Sequence, residues 1–154
     1  MNDTVFMKAA LQEAAKAATA WEVPVGAVVV RDGHIVARGS NKPVKSSDPT
    51  AHAEIVALRK AARKAGNYRL PDCDLYVTVE PCAMCLGALV QARIRRLVFG
   101  TLDPKAGAVS SIMKFPFERT NHRPEIVGGI LAGECAKLLR DFFHGRRKKL
   151  RFRL

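Results

Sequence analysis

The chain has 154 residues, 48% of them apolar, which is a globular composition large enough to bury one domain's core. No run approaches the ~20 apolar residues of a membrane helix, and residues 1–16 lack a signal-type apolar region, so a cytoplasmic protein is expected. The formal charge of +12 is unevenly placed. From Arg140 onward there are seven basic residues and one acid, a +6 tail that attracts a polyanion.

Apolar residues at helical spacing predict a first helix over residues 4–20, with Asp3 as its cap. Two β-rich runs, 25–30 and 35–38, flank Arg31-Asp32-Gly33-His34, a hairpin signal. Residues 40–49 are polar and read as a loop. A helix follows over 50–64, stopped by Gly66. A strand at 75–79, a helix from Pro81 to about residue 92 and a strand at 96–99 come next, and this alternation implies parallel pairing. After a Gly/Ser-rich stretch, 101–111, a short apolar run at Ile126-Val127 precedes a last helix over 131–143, which Gly145 is expected to end. The sum is one α/β domain over residues 1–154, a mixed sheet of about five strands with helices on both faces.

Two short motifs carry the chemistry: His52-Ala53-Glu54 and, thirty residues later, Pro81-Cys82-Ala83-Met84-Cys85. Each falls at the start of a predicted helix. Cys82 and Cys85, three residues apart, can point at one centre, and the partial positive charge of a helix N-terminus favours their thiolates. Two thiolates and an imidazole suit Zn2+ and leave one tetrahedral position open for water. Two thiolates also cancel the metal's formal charge, so a base must take the water's proton. Glu54, two residues from His52, projects away from the ligand and suits that task. Taken singly these residues are weak signals, because Cys-x-x-Cys is also half of a structural zinc knuckle. A closed structural site needs a fourth protein ligand, and neither remaining cysteine supplies a second pair. Cys73, before a strand, and Cys135, on a helix face with Leu138 and Leu139, read as buried core thiols.

With its flanking words, this pattern resembles the tRNA-specific adenosine deaminases of the cytidine-deaminase superfamily. The resemblance rests on the two zinc motifs together with Glu22-Val-Pro-Val-Gly-Ala27, Asn41, Asp48-Pro-Thr-Ala51 and Asn67-Tyr-Arg-Leu70. Further on, Leu75-Tyr-Val-Thr-Val-Glu80, Asp103, Lys105, Asn121-His-Arg123 and Asp141-Phe-Phe143 extend it to nearly the whole chain. It implies a cytidine-deaminase-like three-layer fold and one Zn2+ per subunit held by His52, Cys82 and Cys85. It also implies that Glu54 shuttles protons while a zinc-activated water attacks adenine C6, the mechanism general to this superfamily. By the same resemblance Asn41 contacts the base, Glu22, Val23 and Pro24 shape the pocket, and N–H groups at Ala53 and Cys82 orient the reacting atoms. Asp103 and Lys105 meet flanking nucleotides, and the substrate is a wobble adenosine in a tRNA anticodon stem-loop, handled by a homodimer.

Phe142 and Phe143, just ahead of Arg146 and Arg147, are placed to stack on RNA bases. Adjacent helical residues lie about 100° apart, so one of the two rings is expected in the core and the other outside. Two alternatives stand beside this reading. One is a small-molecule deaminase of guanine, cytosine or a nucleoside, which has no need of a +6 tail. The other is a catalytically silent RNA-binding module, which has no need of Glu54. Residues 113–120 match no motif, and Leu86 is larger than the residue expected at a dimer seam.

Overall fold

The computed structural model describes residues 2–151; residues 152–154, the end of the basic tail, lie outside the described residues. The chain order is α1 (Asp3–Thr19), β1 (Gly26–Arg31), β2 (His34–Ser40), α2 (Pro43–Ser46), α3 (Ala53–Ala65), β3 (Cys73–Val79), α4 (Ala83–Ala92), β4 (Arg96–Thr101), β5 (Glu125–Val127) and α5 (Ala132–Arg151). The five strands form one sheet in the order β2-β1-β3-β4-β5. β1 pairs antiparallel with both β2 and β3, whereas β3, β4 and β5 run parallel.

Alternation along the strands explains the layers. Ala27, Val29, Leu75, Val77, Leu97 and Phe99 face one way, onto Ala57 and Leu58 of α3 and Leu86 and Leu89 of α4. Val28, Val30, Tyr76 and Val98 face the other way, onto Met7 and Ala10 of α1 and Cys135 of α5. Helices thus cover both faces, as expected. Two glycines set how closely. A Cβ at Gly26 would meet the Ala10 carbonyl oxygen at 2.0 Å, and one at Gly39 would meet the Ala53 carbonyl oxygen at 2.4 Å. α1 and α3 therefore rest directly on strand backbone, an approach open only to glycine.

Local chemistry accounts for the turns. Arg31 pairs with His34 across Asp32 and Gly33, both at positive φ (50° and 74°), the two-residue turn whose twist matches a hairpin. Gly66 ends α3 in the left-handed conformation, with its N–H returning to the Arg63 carbonyl.

Several expectations are corrected. Asn2, not Asp3, caps α1, accepting from the Val5 N–H. Asp3 is drawn off into a long-range ionic cluster: it accepts from the Tyr76 hydroxyl at 2.6 Å and from both Arg96 Nη atoms at 3.1 Å. The loop expected over 40–49 holds a helical turn, because Glu22 accepts from the Val44 and Lys45 N–H groups at its start. Cys73 is the first residue of β3 rather than a residue before it. His52 and Cys82 are caps rather than first-turn residues, so Pro81 precedes α4 instead of opening it. Gly145 does not end the last helix. Gly inside a helix costs only about 1 kcal/mol relative to Ala, and beyond it the Lys149 ammonium sits 3.8 Å from the Trp21 ring centroid, tying the extension to the body. Residues 113–120 are mostly exposed and are anchored by two rings: Phe117 is buried, and its ring lies 4.7 Å from that of half-buried Phe115.

Candidate active site and metal centre

The site gathers at one end of the sheet because of strand direction. β3 and β4 point their C-terminal ends there, and antiparallel β1 presents its N-terminal end, so residues 23–25, 79–82 and 101–106 meet. Ligand sites in open α/β sheets sit at this end. His52 precedes α3 and Cys82 precedes α4, both in extended conformation, and Cys85 lies one turn into α4. Caps are held in place by the helices that follow, so their side chains are aimed by backbone rather than by long rotamers.

His52 Nδ1 lies 3.5 Å from Cys82 Sγ and 3.5 Å from Cys85 Sγ, and all the donor atoms of the three residues fall within 4.8 Å of one another. A tetrahedral zinc with Zn–S of about 2.3 Å and Zn–N of about 2.0 Å places S and N about 3.5 Å apart, so the donor set fits that ion. Among the described residues this is the one group of three or more such donors able to share a metal. Hydrogen bonds from Cys85 and then from His52 hold the Cys82 thiol down at about 4, and the same sharing, with burial, pushes Cys85 up. The hydrogen bond with Cys82 raises His52 against the effect of its burial. A divalent cation held by these three residues would replace the shared protons and favour both thiolates.

Glu54 is 4% exposed, and burial raises its carboxyl above the ordinary range, which suits a group that must both accept and return a proton near neutrality. It lines a cavity of about 300 Å³ together with His52, Cys82, Asn41, Val23 and Asp103. A second, larger cavity of about 750 Å³ adjoins it through Val23, Val25, Val79 and Asp103. The wall of this groove mixes apolar, cationic and acidic side chains: Leu102, Asp103, Lys105, Arg140, Asp141, Phe143 and Arg147.

The structure distributes the remaining residues unevenly. Asn41 is in the inner cavity, Asp103 in both, and Lys105, Phe143 and Arg147 in the outer groove. Phe142 is buried and Phe143 exposed, their rings edge to face at 5.4 Å, which matches the expected division. Ala53 is wholly buried at the head of α3. Glu22 and Pro24 line neither cavity; Glu22 is spent on α2, so its influence reaches the pocket through Pro43. Arg146 is exposed but lies outside the groove.

Glu80 is the residue whose part the sequence left undescribed. It lines the inner cavity, is 2% exposed, and accepts from the N–H groups of Asp103, Val109, Ser110 and Ser111 and from the Ser111 hydroxyl. Burial acts to raise its carboxyl, but the Ser111 hydroxyl and these backbone donors hold it below the ordinary range. The signal was an acid at the end of the mostly apolar run 75–79, directly before Pro81.

Comparison with known proteins meets this geometry. The MafB19-like deaminase family matches residues 1–147. A tRNA-specific adenosine deaminase of Agrobacterium fabrum is 48% identical over 145 residues, 94% of this chain and 95% of the relative. The chain belongs to the tRNA-specific adenosine deaminase family. In the same family, a solved structure from work on A-to-I editing by tRNA:A34 deaminases at the wobble position is 48% identical. It superposes with a TM-score of 0.85 over 88% of this chain and 99% of that one. Guanine deaminase from Bacillus subtilis is 45% identical but matches only 66% of each chain, with a TM-score of 0.63. The mixed five-stranded fold is that of the cytidine-deaminase-like enzymes, and the membership makes the protein a deaminase acting on C–N bonds. No helix among the described residues is long and apolar enough to cross a membrane.

Proposed function

We propose that the protein hydrolyses adenosine to inosine at the wobble position of a tRNA anticodon, using one Zn2+ per subunit. The observation that carries the reading is the buried Glu54 beside the converged His52, Cys82 and Cys85, in a small cavity that adjoins a larger groove bearing Lys105, Arg140 and Arg147. The relatives' name and the A-to-I editing structure support the substrate. An inner space of about 300 Å³ is at the lower end of small-molecule sites, in keeping with one flipped base rather than a stack.

His52, Cys82 and Cys85 would hold the zinc, which supplies a Lewis acid that makes water a nucleophile at neutral pH. Glu54 takes a proton from the attacking water and passes it to adenine N1 beside the reacting C6; it then takes the second proton from the hydroxyl now on C6 and delivers it to the amine, which leaves as ammonia. Its burial excludes bulk water from that shuttle. Asn41 hydrogen-bonds the base edge, and Val23 packs on its face. N–H groups at Ala53 and Cys82, where α3 and α4 begin, orient the oxygen and the ring. Asp103, Lys105, Phe143 and Arg147 meet the flanking nucleotides, with Phe143 stacking on a base and Arg147 on phosphate. Arg146 adds charge from outside the groove.

The enzyme acts in the cytoplasm as a homodimer. The free thiols of Cys73 and Cys135 support a reducing compartment, and exposed Met84 on α4 supports an apolar seam. Sedimentation would read the dimer. The deciding experiment incubates the zinc-loaded protein with an anticodon stem-loop carrying a wobble adenosine, and separately with free adenosine, cytidine and guanine. Inosine in the RNA alone is expected. Ammonia from a free base, with the RNA unchanged, overturns the substrate and leaves the zinc chemistry standing.

A further inference from the structure

Residues 102–111 lead from β4 towards the anchor of Phe115 and Phe117 without regular structure, yet they present Asp103 to both cavities, Ala106 to the inner one and Lys105 to the outer one. An irregular segment that lines a site needs something to give it one shape. Part of the answer lies in the loop itself. Asp103 Oδ1 accepts from the Lys105 N–H at 3.0 Å and the Ala106 N–H at 3.3 Å, a local turn. Such a turn fixes a curl but not where the curl sits relative to α4 and the cysteines.

The link to the body is Glu80. Its Oε2 accepts from three successive backbone N–H groups, Val109 at 3.0 Å, Ser110 at 2.9 Å and Ser111 at 3.2 Å. Its Oε1 accepts from the Asp103 N–H at 3.1 Å and from the Ser111 hydroxyl. One buried carboxylate therefore grips both ends of the loop. Consecutive amides closing on an anion form a nest, normally seen around phosphate or a bound ion; here the anion is the chain's own side chain. The loop is also moulded to it: a Cβ at Gly107 would lie 2.3 Å from Glu80 Cδ and Oε1. Glu80 itself is fixed, since its N–H donates to the Thr101 carbonyl at 2.8 Å and the neighbouring Pro81 carbonyl accepts from the Ala108 N–H at 2.9 Å.

We infer that Glu80 is a positioning residue: its carboxylate, two residues before Cys82, sets the 103–111 loop in register with the metal centre and so places Asp103 and Lys105 for the nucleotides beside the target base. This rests on the RNA substrate proposed above. The cysteine-bearing turn and the recognition loop thus share one anchor, and a substrate held by Asp103 and Lys105 is referenced to the same point as the reacting atoms.

The inference can be tested from both sides of the contact. Glu80→Gln keeps the shape but turns an NH2 towards N–H donors on one side. Gly107→Ala leaves Glu80 intact and wedges a methyl group against it. For wild type and both variants, zinc content, amide exchange at 103 and 109–111, stem-loop affinity by anisotropy, and kcat and KM on the stem-loop would be measured. Both variants are expected to lose protection at these amides and to bind the stem-loop about tenfold more weakly, with KM rising in step and kcat falling less; placement errors of this kind act on orientation. Zinc should stay near one per chain. Unchanged exchange, or loosened amides with unchanged affinity, would overturn the inference, as would loss of zinc from Glu80→Gln, which would place the residue in support of the metal instead. If wild-type protein makes no inosine, the proposed reaction fails, while the exchange and anisotropy measurements still decide the role of Glu80.

Discussion

The two faces of the sheet are built on different rules. On the α3/α4 face, the chemistry-bearing side chains sit at helix starts, and within each motif they follow from short stretches: Glu54 is two positions after His52 and Cys85 three after Cys82. On the α1/α5 face, placement depends on residues far apart in the chain. Asp3 meets Arg96 across 93 positions, and Trp21 meets Lys149. Local geometry aims the donors within each motif, and the sheet brings the two motifs together across thirty positions, whereas the α1/α5 face is held by much longer-range pairs.

The sharpest test of the first rule is Glu54→Gln. It removes the proposed proton shuttle but none of the proposed ligands, so deamination should fall by about 10²–10⁴-fold, while metal analysis should still find zinc. Zinc lost together with activity would mean that Glu54 belongs to the metal set. The paired rings of α5 divide the second face between core and groove. Phe142→Ala should cost about 3 kcal/mol of stability, as large-to-small core changes do. Phe143→Ala should leave the thermal midpoint nearly unchanged and weaken stem-loop binding by about 1–3 kcal/mol. Equal effects of the two on stability would erase the distinction.

The ionic cluster offers a pH test. Hydrogen bonds from Arg96 hold the Asp3 carboxyl below its ordinary value against burial, with Tyr76 assisting. A carboxyl depressed in the folded state adds stability above its unfolded pKa, and that stability is lost as pH falls through the folded value. Wild type should therefore lose more stability than Asp3→Asn between neutral and acid pH, with a difference of about 1–2 kcal/mol at pH 7, read by denaturant titration at several pH values. Parallel curves would show that the cluster contributes nothing. The smallest effect belongs to Trp21→Ala. Losing the cation–π contact should cost about 0.5–1 kcal/mol, visible as faster amide exchange after Gly145 with little change elsewhere.

The same contrast explains what was legible beforehand. The hairpin, the parallel half of the sheet and the donor set all depend on neighbours in sequence, and the pattern exposed them. Asp3 looked like a helix cap because caps are judged locally, while the partners that claimed it lie on β3 and β4. Gly145 looked like a stop because its propensity says so, but α5 runs on with Lys149 against an aromatic ring from the other end of the chain. Glu80 stood inside a recognised word, yet its use became visible only when the loop folded around it.

Gly39 has a consequence for how this protein can change. The nearest atom to its absent side chain is the carbonyl of Ala53, the residue between His52 and Glu54. The bare strand is therefore a spacer of zero thickness beneath the catalytic helix. One methyl group there would act as a shim, lifting the imidazole and the carboxylate together and away from the two sulfurs carried on the neighbouring helix. A chain altered in this way would keep its fold and its outer groove, yet lose the reaction through a residue that lines neither cavity.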